Sequence, residues 1–127
     1  AMNDITPPVP LGRQLIQGYG GGGFRVGGEA RTGSVIVRPD KTVSWPVSSF
    51  EELSVSSLGD LLIADGGIEV LLIGCGPRMG MPRPDIRDAL KEFSIVPEWM
   101  DTGAACRTFN VLLSEDRAVA AALIAVE

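Results

Sequence analysis

The side chains with the clearest chemical potential lie in one run, Met100-Asp101-Thr102-Gly103-Ala104-Ala105-Cys106-Arg107-Thr108-Phe109-Asn110. Asp101 or Thr102 is placed to cap a helix that begins there. The amides of Gly103, Ala104 and Ala105 would then stand at its positive end, where an anion or carboxylate binds favourably but weakly. Cys106, in the first turn and beside Arg107, has the surroundings that lower a thiol pKa and yield a reactive thiolate. The alternative for Cys106 is a small buried apolar residue in a reducing compartment. Asp101 has no second carboxylate near it for acid–base work, which favours a cap.

A second group, Gly74-Cys75-Gly76 with Arg78, follows the apolar run Ile68 to Ile73. If the strands ending at Ile73 and Met100 are parallel neighbours, the loops after them open on one edge of the sheet, the usual ligand crevice of an open α/β sheet. The candidate crevice therefore comprises Gly74, Cys75, Gly76, Arg78, Asp101, Thr102, Gly103, Cys106, Arg107 and Asn110. Cys75 and Cys106 fall on the two segments that would meet at this edge; a separation within about 10 Å, a looser limit than disulfide geometry, would support a shared site, and opposite faces of the sheet would count against it. On a helical wheel Arg107, Asn110 and Ser114 form a polar stripe beside the apolar Ala105, Phe109, Leu112 and Leu113. That stripe either lines a pocket or hydrogen-bonds loop carbonyls, and Arg107 is expected to find its acceptors in the loop after Ile73. No catalytic residue, metal ligand set or cofactor is assigned.

Composition narrows the chemistry further. The chain has no histidine, which removes Ser-His-Asp and Cys-His nucleophilic sites and imidazole-based metal sites. Its 2 cysteines cannot supply a four-thiolate zinc site. A formal charge of −5 without a basic cluster argues against nucleic acid as a partner. No apolar run reaches the roughly 18 residues of a membrane span, and the first residues lack the pattern of a signal peptide, so a cytoplasmic, non-membrane-spanning protein is expected. Gly20 to Gly23 is followed by neither Gly-Lys-Ser/Thr nor a helix-opening G-x-G-x-x-G, so it reads as a turn or bulge and not a phosphate loop.

The elements that must position these residues follow from periodicity. Residues 1–12, with Pro7, Pro8 and Pro10, read as an extended, partly disordered lead-in without ladder pairing, and 13–127 as a single domain. Strands are expected over 14–19, 24–26, 34–37 and 42–47, forming a β-meander. Beyond Phe50 helical spacing predicts helices near 55–65, 84–93 and 103–114, with strands at 68–73, 95–100 and across 119–126. A strand, helix, strand, helix, strand order is that of α/β packing with right-handed crossovers. Trp45 reads as strand packing. Met79 and Met81, in a Gly/Pro loop, offer an adaptable apolar contact surface.

Gly33-Ser34-Val35, Trp45, Leu71-Leu72-Ile73-Gly74-Cys75-Gly76 with Arg78, and the run from Met100 to Asn110 together resemble a small bacterial and archaeal domain family of unknown function. That family includes the mitochondrial complex I (NADH dehydrogenase) alpha subcomplex assembly factor. The resemblance spans roughly residues 14–126. It implies a three-layer α/β domain around a central mixed sheet, with a β-rich N-terminal meander and an antiparallel last strand. It carries no enzymatic activity, and respiratory-complex biogenesis belongs to the mitochondrial members. The resulting expectation is a non-catalytic protein-interaction or assembly module with a protein partner. The alternative is an anion-binding protein or enzyme using Asp101, Cys106 and Arg107.

Overall fold

The structure, a computed structural model, describes residues 3–4, 13–63 and 67–127. Two sheets form. The smaller is antiparallel, in the order β1 (Asn3–Asp4), β2 (Ile16–Gly20), β3 (Gly23–Val26) and β4 (Glu29–Thr32). The larger is mixed, in the order β6 (Thr42–Ser44), β5 (Val35–Val37), β9 (Val119–Leu123), β7 (Val70–Gly74) and β8 (Val96–Met100). The helices are α1 (Gly59–Ile63), α2 (Pro84–Lys91) and α3 (Thr102–Ser114), with single 3₁₀ turns at Phe50–Glu52 and Ser56–Leu58.

The expected meander is thus two units. β2 and β3 turn at Gly21 and Gly22, whose φ values of +62° and +80° are those of a two-residue hairpin turn that favours glycine. β4 carries no apolar alternation, since Glu29, Ala30 and Thr32 are exposed, and periodicity alone does not find it. β5 and β6 leave this sheet and join the larger one. The lead-in is not wholly without pairing, because Asn3 and Asp4 face Tyr19 and Gly18 across a short ladder. Residues 1–2 and 5–12, on which the disordered lead-in was expected, lie outside the described residues, as do 64–66 at the end of the helix expected over 55–65.

β9 sits at the centre of the larger sheet, parallel to β7 and antiparallel to β5. The resemblance implied an antiparallel last strand; β9 is antiparallel to β5 and parallel to β7. The β7-to-β8 and β8-to-β9 connections travel in opposite directions across the sheet, because β9 returns to the far side of β7. Crossovers of one hand must then pass over opposite faces. The side chains agree. Leu71, Ile73, Ala120 and Ala122 pack with Leu58, Ile86 and Leu90 on one face. Leu72, Val119, Ala121 and Leu123 pack with Ala105, Cys106, Phe109 and Leu113 of α3 on the other, beside Ile16, Phe24 and Val26 of the small sheet. Every residue of β9 is buried, as a strand covered on both faces requires.

Each helix has a local cause. Pro84 opens α2 in its first turn, and Ile86 and Leu90 face the core at helical spacing. Asp101 caps α3. Trp45 is buried and its indole N–H donates to the Ser57 carbonyl at 2.7 Å, the packing role expected of it.

Candidate cleft at the strand ends

The exits of β7, β8 and β9 meet at one end of the larger sheet, and Thr102 joins them. Its hydroxyl accepts from the Gly76 N–H at 3.0 Å and donates to the Ile124 carbonyl at 2.7 Å. Its own N–H donates to the Gly76 carbonyl at 2.8 Å. The first residue of α3 therefore rests directly on β7, and a Cβ on Gly74 would come within 3.0 Å of the Thr102 Cα. Gly74 is a contact residue of the fold and not part of an open surface.

Beside this junction lies a cleft of about 390 Å³ lined by Tyr19, Gly76, Pro77, Asp101, Gly103, Ala125, Val126 and Glu127. Gly76, Asp101 and Gly103 come from the group picked out by sequence. Tyr19 does not. It reaches from β2 across the start of α3, where a Cβ on Gly103 would lie 2.7 Å from its hydroxyl. The same hydroxyl accepts a hydrogen bond from Arg107 at 3.0 Å. The available signal was that the chain's one tyrosine sits between Gly18 and Gly20 in a strand, and that a glycine in the first turn of a helix invites close approach.

The remaining expectations are redistributed. Arg107 is exposed and pairs with Tyr19, not with the loop after Ile73, because α3 turns that flank toward β2. Asn110 is buried away from the cleft. Its carboxamide accepts from the Ile16 N–H and donates to the Ile16 carbonyl, both at 2.8 Å, so it staples β2 to α3. Arg78 is exposed in the loop after β7. Cys75 and Cys106 belong to different cores on opposite faces of the sheet, the arrangement that counts against a site shared by the two. The pleat is the reason, since Cys75 follows the Leu71 and Ile73 side of β7 while α3 covers the other.

Neither thiol is poised to react. Burial pushes the Cys106 thiol up to about 12, outweighing the opposing charge of Arg107. Burial also raises Cys75, against backbone hydrogen bonds with Gly80 and Met100 that act the other way. A lowered Cys106 pKa is therefore corrected. The expected anion pocket at the helix start is largely occupied from within. Asp101 Oδ2 accepts from the Ala104 N–H at 3.0 Å, and the Ala105 and Thr102 amides donate to the Asp101 and Gly76 carbonyls. The carboxylate that the helix end attracts is its own cap. Among the described residues no group of three or more His, Cys, Asp or Glu side chains could hold a metal ion, and no helix is long and apolar enough to cross a membrane.

Comparisons with known proteins extend this picture. A zebrafish protein named NADH dehydrogenase [ubiquinone] 1 alpha subcomplex assembly factor 3 is 38% identical over 110 residues, 87% of this chain and 63% of its own length. The chain thus spans somewhat less than two-thirds of that relative. An uncharacterized protein of Rhodobacter capsulatus is 32% identical, with 94% of this chain and 93% of that one covered. A Bartonella henselae structure, described as an outer membrane protein, superposes with a TM-score of 0.84 at 42% identity over 92% of this chain and 98% of that one. A Bordetella pertussis structure, described as a Mth938-like domain, gives a TM-score of 0.77 at 27% identity over 97% and 92%. The family model described as protein of unknown function (DUF498/DUF598) matches residues 16–124, most of the described fold, and this chain belongs to that family.

Proposed function

We propose that this chain is a non-catalytic module of the cytoplasm that assists the biogenesis of a respiratory or other membrane complex, docking its protein partner through the loop after β7. The observation that carries this reading is the presentation of Met79 and Met81, 66% and 79% exposed, on either side of a pinned glycine. A Cβ on Gly80 would come within 2.6 Å of the Phe50 ring, which itself packs edge-on against Trp99. Two large apolar side chains are thereby held in water on an anchored loop, and a flexible thioether adapts to a partner surface at little steric cost. The names of the vertebrate relatives favour an assembly role, and the buried, protonated thiols favour the non-catalytic reading over chemistry at Cys106.

The test is a deletion in the source bacterium, read as the amount of intact respiratory NADH dehydrogenase on a native gel. Loss of the complex, restored by the natural chain but not by Met79→Ser/Met81→Ser with an unchanged melting temperature, is expected. An undiminished complex after deletion contradicts the assembly role. Full rescue by the double variant contradicts the docking loop.

A further inference from the structure

Among the described residues β8 ends the larger sheet, and its outward backbone groups have a specific arrangement. The Val96 N–H donates to the Glu69 carbonyl and the Met100 carbonyl accepts from Cys75, so Val96, Glu98 and Met100 turn their backbone toward β7. Pro97, Trp99 and Asp101 then turn theirs outward. Pro97 has no N–H, and the Asp101 carbonyl already receives the Ala105 N–H at 3.0 Å. The outward edge thus offers the Pro97 carbonyl, both groups of Trp99 and the Asp101 N–H.

We propose that this edge pairs antiparallel with the same edge of a second copy of the chain, about a two-fold axis at Trp99. The two Trp99 residues exchange both backbone hydrogen bonds. The next bonded positions set Pro97 of each copy against Asp101 of the other, and the Asp101 N–H donates to the Pro97 carbonyl. The bond a full ladder would add needs the N–H that proline lacks and the Asp101 carbonyl already engaged in α3, so no outward group is left without a partner. The missing donor meets the occupied acceptor. An unrelated strand laid on this edge would carry an acceptor opposite Pro97 with nothing to receive, and that favours a second copy as the occupant.

Side chains agree with this register. Glu98 falls opposite Met100 of the second copy, so no carboxylate faces its own image. Val96, the first residue of β8, is 55% exposed and adds apolar surface to this strand. Each copy carries a formal charge of −5, and the mutual repulsion makes pairing stronger as salt is added. The inference rests on the backbone of β8 and is independent of the assembly role.

Sedimentation equilibrium should give twice the 13.4 kDa chain mass at high concentration, and more of that species at higher ionic strength. Hydrogen exchange read residue by residue supplies the register. Raising concentration through the association range should slow the Trp99 and Asp101 amides about tenfold or more, while Glu98 and Met100, bonded to β7, stay unchanged. As an independent check, oxidation of Glu98→Cys/Met100→Cys should yield a covalent dimer, because directly opposed residues bring their Cα atoms within disulfide reach. A 13.4 kDa species at every concentration overturns the pairing. A dimer whose Trp99 amide remains fast overturns this edge as its interface, whether or not the cysteine variant folds.

Discussion

Thr102 and Cys106 separate what local chemistry dictates from what burial imposes. The Thr102 hydroxyl is at once acceptor for Gly76 and donor to Ile124, and it is fully buried. Thr102→Val preserves shape and removes both bonds, so a loss of about 2 kcal/mol or more in urea unfolding is expected. Thr102→Ser keeps the hydroxyl and should lose less. For Cys106, burial raises the folded pKa from an ordinary 9.0 to about 12. Below pH 9 both folded and unfolded thiols are protonated and the stabilising contribution is complete. Between about 9 and 12 only the unfolded thiol ionises, and stability falls by about 1.4 kcal/mol per pH unit at most. The melting-temperature gap between the natural chain and Cys106→Ala should therefore shrink as pH rises through that window, and a thiol reagent near neutral pH should leave Cys106 unlabelled. Asp101 as a cap was legible from sequence because a cap reaches only three residues along the chain. The Arg107 partner was not, since Tyr19 lies 88 positions away.

At the scale of elements, α3 is held against the small sheet by a side chain that acts as a peptide group. Asn110 offers one donor and one acceptor to Ile16, doing for β2 what a neighbouring strand would do. Asn110→Ala orphans a buried N–H and a buried carbonyl together, so a destabilisation of about 2 to 4 kcal/mol is expected, measured by denaturant unfolding. Asn110→Asp sets a carboxylate oxygen against the Ile16 carbonyl and buries a charge, so near neutral pH it should destabilise at least as much as Asn110→Ala, and less once acid protonates the carboxyl. The helices at 84–91 and 102–114 were readable within a few residues, because apolar spacing, a first-turn proline and a capping carboxylate are all local signals. Helical spacing carries α2 on to 93, past its end at Lys91, since Ser94 takes a left-handed φ of +59° that no residue type there announces. β4 escapes periodicity for the opposite reason. Its side chains are mostly exposed, so only its ladder to β3 defines it.

For the whole molecule, both cores are built on the same strands. β9 places Ala120 and Ala122 in one and Val119, Ala121 and Leu123 in the other. Loss of either layer strips one face of that strand, so the domain should unfold in one cooperative step. The 2 tryptophans, Trp45 and Trp99, both report on the α2 face. Their fluorescence transition should nevertheless coincide with far-UV circular dichroism, which also senses α3, and two separated transitions would show that the layers fold independently. The sequence by itself determined the α/β class, the strand–helix alternation from 70 onward, the cap of α3 and the absence of imidazole chemistry. Each of these follows from residue type and from periods of two or about four positions. Only the tertiary structure decided which faces the helices cover, because a crossover's side depends on where the next strand inserts, and β9 inserted on the far side of β7. That one insertion put Cys75 and Cys106 on opposite faces of the sheet, and α3 against β2. It also brought Tyr19 over Gly103, making a cleft whose lining comes from chain segments more than eighty residues apart.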